Sequence, residues 1–467
     1  MTNAQTPPRG FKKFFGAQDM TQGAPMRNLL MFSIPLLIGN LAQQLYSTAD
    51  SIIVGHFVGD SALAAVGASG PILNLILVLF MAVSTGAGIV VAQYFGAKDR
   101  EELSKSIGNA MLLILIAGLV TGAVGLLVSR PMLVLLDTPA ENDVLSMAST
   151  YLMILFAGMV FSAFYNIGSG ILRGLGDSVT PLIFLLIACG LNIILDWVLV
   201  SSGWGVMGAA VATIFSQMVS AILCVIRLFR MRDVIDLNRK TLRLSRRRTA
   251  QLMKLGLPAG VTQGIFSLAM VMVQALTNSM GQDAMTTSVA VMRVDGFAML
   301  PNFTFGMATS TFVGQNIGAK RMDRVKVGSQ KAIILSMAVA GVLVLCLLLF
   351  GHHLLRMFTQ TERILMLGTR ALRILAAGYL AMGVMQVYGG IMRGAGDTMP
   401  SMWISLATSV ALRLPLAYLL AYWTRSPEWP NGSPDALFIS LMITWVIGAA
   451  LTYLWYRRGG WMRKSIF

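Results

Sequence analysis

Charge is scarce in this chain. Of its 467 residues only 12% are Asp, Glu, Lys or Arg, about half the roughly 25% of a soluble domain, so the polar coat that keeps a globule in water is missing. Cysteine is rarer still. Cys189, Cys224 and Cys346 all fall inside apolar runs with no metal-ligand spacing between them, and they read as small buried hydrophobes. Histidine occurs three times, at His56, His352 and His353, each expected near the outer surface. No HExxH, no Ser-His-Asp set and no phosphate-binding loop appears, which argues against a membrane-embedded enzyme and against an ATP-driven pump. A cleavable signal peptide is not expected: residues up to Arg27 are polar and basic, and the first apolar run is too long for an h-region.

What is present is apolar length. Hydrophobic residues make up 56% of the chain, and the mean hydropathy is +0.71. A membrane helix needs about 20 apolar residues, and a window of that size predicts about twelve spans. They lie near 29–57, 62–95, 106–129, 145–172, 179–201, 205–229, 252–279, 284–314, 329–351, 364–392, 399–422 and 436–456. The expected organisation is an N-terminal segment 1–27, a first lobe 28–231, a basic linker 232–250, a second lobe 251–457 and a tail 458–467.

The net charge of +16 raises the question of nucleic acid, and its placement answers it. With the N-terminus inside, the inner loops collect Arg9, Lys12, Lys13, Arg27, Lys98, Arg100, Lys105, the cluster Arg227–Lys254 and Lys320–Lys331, and the tail adds Arg457, Arg458, Arg463 and Lys464. The outer loops hold little beyond Arg130, Arg356, Arg363 and Arg425. This is a positive-inside pattern with both termini cytoplasmic. The basic residues then face anionic lipid head groups, and nucleic acid is not expected as a partner.

An internal repeat organises the chain. Ile171–Asp177 reads ILRGLGD and Ile391–Asp397 reads IMRGAGD, placing Arg173 and Arg393 220 positions apart. Gln93–Lys98 matches Gln315–Lys320 at an offset of 222, and Pro35 matches Pro258 at 223. Three anchors at nearly one offset indicate two copies of a six-helix unit. An even number of spans per copy gives both the same orientation, a known plan for secondary transporters. In the RG-x-GD turns a glycine is expected to close one helix while Asp177 or Asp397 caps the next.

Polar residues at membrane depth are costly and mark functional positions. Asn40, Gln43, Ser47 and Asp50 are spaced 3, 4 and 3 and form one stripe on the first span. The fifth span carries Asn192 and Asp196 four apart. The fourth carries Ser162, Asn166 and Ser169, and the sixth Thr213 and Gln217. At the repeat offset Asp50 falls on Val273 and Asp196 on Leu416, so the six-helix fold itself does not demand these acids. A carboxylate pair at that depth is suited to bind and release a proton. The same oxygens, with Asn192, Asn166 and Thr213, equally suit a sodium ion. The second lobe has its own polar set: Gln263, Ser267, Gln274, Asn278, Arg293, Asp295 and Asn302. Arg293 and Asp295 are expected to form a structural ion pair near the outer surface, while Arg413 either snorkels outward or lines a cavity. Pro35 removes one backbone hydrogen bond and permits a bend beside the polar stripe.

With these residues the chain resembles the multidrug and toxic compound extrusion (MATE) transporters, specifically their DinF-like prokaryotic branch, from about residue 25 to 457. The resemblance rests on the duplicated twelve-span plan, Pro35 followed by Asp50, the GQ-x-x-GAK loop at 314–320, the paired RG-x-GD turns and the NIILD run at 192–196. It implies an all-α polytopic membrane protein of two homologous six-helix bundles around a V-shaped central cavity, in the cytoplasmic membrane. It further implies alternating-access exchange of H+ or Na+ for amphiphilic, often cationic, drug-like compounds, with no cofactor and with a monomer sufficient. Asp50, Asn166, Asn192, Asp196 and Thr213 would form the cation-coupling cluster, with Na+ possible at Asp50, Asn192 and Asp196. Gln43, Asn40, Ser47, Ser169, Gln274 and Asn302 would shape the substrate cavity, and Pro35 would be the conformational residue. The alternative within the same superfamily is a flippase for lipid-linked oligosaccharides or lipids, which more often has about fourteen spans and a cationic cavity.

Overall fold

The computed structural model describes residues 16–136, 138 and 143–464. Residues 1–15 of the N-terminal segment and 465–467 of the tail lie outside the described residues, as does the side chain of Ser47. What is described is helical, without strands: α1 (Pro25–Val58), α2 (Asp60–Ala97), α3 (Arg100–Leu135), α4 (Val144–Ala157), α5 (Met159–Gly174), α6 (Val179–Leu199) and α7 (Gly205–Arg230), then α8 (Arg246–Ser279), α9 (Gln282–Gly318), α10 (Met322–Arg356), α11 (Glu362–Ala395), α12 (Met399–Leu406), α13 (Arg413–Trp423) and α14 (Asp435–Arg457).

Each expected span has its helix, and the irregular places are informative. α4 and α5 together make one span bent by 53°, with Gly158 at the break, where a side chain would collide with Ile214. Between α6 and α7 a π-helical turn, Val200–Trp204, contains Gly203 at φ 90°, so the 52-residue run Val179–Arg230 reverses rather than continuing straight. α12 and α13 are joined by another π-helical stretch, Ala407–Leu412. Among the described residues nine helices are long and apolar enough to cross a membrane, ten with the bent pair taken as one span. α9 is outside that count although it has 37 residues, because it is too polar, carrying Asp283, Arg293 and Asp295. The outward faces are apolar: Leu135 is 82% exposed, Leu127 79% and Val271 69%. Surfaces of that kind need hydrocarbon around them.

The chain divides into two compact units, one of Met1–Met20 with Met31–Gly256, the other of Thr21–Leu30 with Leu257–Phe467. In the first, more than half of the apolar stretch of α2 is buried; in the second the same holds for α11.

The repeat recurs bond for bond. At the end of α2, Lys98 takes a left-handed conformation and its N–H donates to Phe95 O while Asp99 N–H donates to Tyr94 O. At the end of α9, Lys320 does the same, with Lys320 N–H to Ile317 O and Arg321 N–H to Asn316 O. After α5 and after α11, Gly176 and Gly396 stand at φ 83° and 92°. Their N–H groups donate to Arg173 O and Arg393 O, each at 2.9 Å. Close crossings recur as well. A methyl added at Gly170 would lie 2.8 Å from Ser84 O, and one at Gly390 would lie 2.3 Å from Gly306 O. Only hydrogen fits at both crossings.

Capping differs between the copies. Asp177 Oδ1 accepts from Thr180 N–H at 3.0 Å and Oδ2 from the Thr180 hydroxyl at 2.6 Å, which caps α6. Asp397 instead meets the Trp455 indole N–H at 3.5 Å.

The basic linker is strapped onto α3 rather than loose. Arg100 pairs with Asp236 at 2.7 Å, Ser104 Oγ accepts from Asp236 N–H at 2.9 Å, and Asn109 Oδ1 accepts from Ser245 N–H at 2.7 Å. The linker's last residues, Arg246 to Ala250, are already helical and open α8. From there Arg248 grips Glu102 with bonds of 2.8 and 3.1 Å.

Candidate functional site

Three helices of the first unit bring the predicted carboxylates together. Asp50 comes from α1 and Asp196 from α6, and their carboxyl groups lie within hydrogen-bonding reach of one another. Asp196 is fully buried and Asn192, one turn earlier, is 1% exposed. In the orientation that satisfies both ends of its amide, Asn192 donates to Asp196 Oδ2 at 2.7 Å and accepts from Thr213 N–H of α7 at 3.2 Å. Turned the other way, its nitrogen would reach only Thr213 Oγ1 at 3.4 Å, so the first orientation is the one a carboxylate neighbour selects.

Two tyrosines complete the surroundings. Tyr46, one turn before Asp50, lies within hydrogen-bonding reach of Thr213 and close to both carboxyl groups. Tyr151 of α4 approaches the same pair and Tyr46. Sequence reasoning missed both. For Tyr46 a signal existed, since it stands four residues from Asp50 and three from Gln43 on one helical face. Tyr151 carried none, because only the folding of α4 onto α1 brings it close. Tyr151 also belongs to an apolar cluster with Val54, Leu155, Val200 and Val206, placed one turn beyond Asp50 and Asp196, which closes that side to water.

Oδ1 of Asp50 and Oδ1 of Asp196 are buried with no hydrogen-bond partner. Buried polar atoms are nearly always paired, and two ionised carboxylates in contact repel. The arrangement therefore fits one positive species between them. A proton shared between the carboxyls satisfies it, as does a hard cation taking carboxylate, amide and hydroxyl oxygens. No group of three or more His, Cys, Asp or Glu gathers among the described residues.

The remaining predicted residues are distributed more widely. Asn166 is turned along its own helix, donating to Ser162 O at 2.9 Å, while its backbone carbonyl accepts the Ser84 hydroxyl at 2.7 Å. Ser169 is 2% exposed beside Tyr165. Gln43 is exposed and Asn40 half-buried, on the face of α1 that also carries Tyr46 and Asp50. Pro35 sits inside an α1 that runs unbroken from Pro25 to Val58.

In the second unit a cavity of about 390 Å³ opens between α8, α9, α11, α13 and α14. Gln274 lines it, donating to Asn278 Oδ1 at 2.8 Å. Asn302, expected at the cavity wall, does not line it. That residue is 2% exposed and donates to Tyr379 O at 3.2 Å, a tie between α9 and α11. The expected ion pair of Arg293 with Asp295 is also absent: two residues apart on a helix they point nearly opposite ways. Arg293 is exposed, while Asp295 faces the cavity, as does Arg413.

The model of the MatE family matches residues 35–198 and 258–419, one copy in each half. The chain belongs to the MatE family. Both matched copies begin at the repeated prolines, Pro35 and Pro258, and the Asp50–Asp196 site lies within the first. Among curated relatives, "Probable multidrug resistance protein YoeA" of Bacillus subtilis is 28% identical over 91% of this chain and 94% of its own. "Multidrug export protein MepA" of Staphylococcus aureus is 24% identical over 79% of this chain and 81% of its own. A crystal structure of MATE in the straight conformation matches with a TM-score of 0.88 at 25% identity, covering 96% of this chain and 99% of that one. A MOP superfamily transporter from Pyrococcus furiosus, whose binding pocket is described as reversed in polarity, matches with a TM-score of 0.86 at 25% identity, covering 94% and 97%. This MatE protein is thus a multi-pass membrane protein of a multidrug efflux transporter family, with small molecules as its substrate class.

Proposed function

We propose that this MatE protein is an antiporter in which a cation entering at Asp50 and Asp196 drives an amphiphilic drug-like molecule out by alternating access. The observation that carries this reading is the contact of two carboxyl groups at membrane depth, each with an unpartnered buried oxygen. Such a site changes charge when a cation arrives, and a buried charge is expensive enough to shift a two-state equilibrium. Asn192 holds Asp196 in place, and Tyr46 links the α1 carboxylate to Thr213 on α7. Cation binding is then felt by α1, α6 and α7 together. Pro35 leaves one carbonyl of α1 without its helical donor, so that helix bends at low cost. The concentration of basic residues in one set of loops supports both termini being on the cytoplasmic side of the cell membrane, and export is then directed away from them. The flippase reading draws less support, since the second-lobe cavity balances Arg413 with Asp295 instead of gathering cations.

The test is reconstitution in liposomes, following ethidium under an imposed proton gradient and then a sodium gradient. Transport driven by one gradient and lost in Asp196→Asn is the expected result, and the effective gradient names the ion. Gradient-driven transport at full rate in the variant would overturn the assignment.

A further inference from the structure

We propose that the second-lobe cavity is a binding site for aromatic zwitterions, molecules carrying a cationic and an anionic group on one apolar body. The inference rests on the export reading for its purpose, but its evidence is separate.

Two opposite charges face one enclosed space. Asp295 of α9 and Arg413 at the start of α13 both line the cavity, near enough for their charges to interact, yet no ion pair closes between them. Asp295 Oδ1 and Arg413 Nε are buried without a hydrogen-bond partner, and the Tyr379 hydroxyl behind the wall lies within hydrogen-bonding reach of Asp295. A buried charge normally holds a partner. Two unsatisfied polar atoms on residues that line one cavity are therefore positions a ligand would satisfy.

The rest of the wall selects what lies between the charges. Phe266, Phe303, Phe438 and Trp445 line it, surfaces that take flat apolar bodies. A cation without an anionic group satisfies Asp295 but leaves Arg413 unpaired and repelled; an anion does the reverse. Only a molecule with both charges leaves neither side uncompensated.

Nor does the fold demand these charges. At the offset of 222 shared by the Lys98 and Lys320 turns, Asp295 corresponds to Leu73, and at the offset of 220 shared by the RG-x-GD turns Arg413 corresponds to Ile193. Arg413 follows directly on the π-helical Ala407–Leu412, where α6 is regular. Such insertions recur where a helix must re-aim a functional side chain.

The test uses the full chain in lipid nanodiscs, with empty nanodiscs as the blank, and two dyes differing in one group. Rhodamine B carries a cationic ring system and a free carboxylate; its ethyl ester keeps the cation and loses the anion. Fluorescence anisotropy is expected to show the wild type binding rhodamine B at least about tenfold more tightly than the ester. Arg413→Gln should erase that preference by weakening rhodamine B alone, and Arg413→Lys should keep part of it. Asp295→Asn should weaken both dyes. Gly296→Leu fills the cavity, where an added carbon meets nothing within 4 Å, and should weaken both without altering their ratio. Equal affinities in the wild type, a preference surviving in Arg413→Gln, or no saturable binding of either dye would overturn the proposal. Asp196→Asn separates the two readings. It should abolish gradient-driven transport and leave the dye preference intact; a preference lost in Asp196→Asn would place the dye elsewhere.

Discussion

Replacing Asp196 by asparagine removes a charge and almost nothing else. The side chain is fully buried, the amide is isosteric with the carboxylate, and Asn192 and Thr213 remain beside it. A cation held between Asp50 and Asp196 loses one of two anionic partners. At about 4 Å and an effective dielectric constant of about 20, that partner contributes about 4 kcal/mol, or about a thousandfold in affinity. A cation that no longer binds at working concentrations cannot shift the conformational equilibrium. The gradient-driven part of transport should then vanish, while the slow downhill leak of substrate persists. Asp50→Asn should do the same, and the double variant should be no worse than either single one, because both carboxyls serve one site. The assay is the initial rate of ethidium movement in proteoliposomes with and without the effective gradient, with the thermal unfolding midpoint of each variant measured in parallel. A single variant that keeps more than about half of the gradient-driven rate at an unchanged midpoint would refute the reasoning, since it would require full drive from a site missing about 4 kcal/mol of cation binding.

Three further outcomes follow from the packing. Gly390→Ala should destabilise by about 2–3 kcal/mol, because the new methyl meets Gly306 O at 2.3 Å, whereas Gly296→Ala should be neutral or gain up to about 1 kcal/mol from helix propensity; thermal unfolding checks both. Arg248→Met removes a forked grip on Glu102 that is partly exposed. It should loosen the linker by about 1 kcal/mol, read as a roughly fivefold faster tryptic cut within 232–245. Lys98 holds a left-handed conformation at φ 58°, so Lys98→Val should be less stable than Lys98→Gly by about 1–2 kcal/mol in a thermal-shift comparison.

Much of the architecture was legible because its causes are local. The window that delimits a span depends on solvation of about 20 consecutive residues, and each expected span has its helix. The repeat was legible because the same turn needs the same short sequence: GAK at both left-handed lysines, RG-x-GD at both glycine turns. The polar stripe of α1 was legible for Asp50, since helical spacing places residues three and four apart together. Sequence periodicity did not separate Asn166, which turns back on its own helix, from Asn192, which joins the carboxylates. Both occur in the same kind of apolar helix at the same kind of spacing. It also paired Arg293 with Asp295 by proximity in sequence, where the helix turns them apart.

The sequence by itself therefore determined the solvent, the helices, the duplication and the asymmetry of the acids between the two copies. Each of these follows from composition or from spacings within one turn or one repeat. Only the tertiary structure decided that Asp50 and Asp196 touch, that Tyr151 closes over them, that Asn302 ties α9 to α11, and that Asp295 and Arg413 share a cavity. Those relations join residues on different helices. The rotation of each helix about its own axis is set by packing against its neighbours, at crossings as tight as Gly390 on Gly306, and no local spacing encodes it.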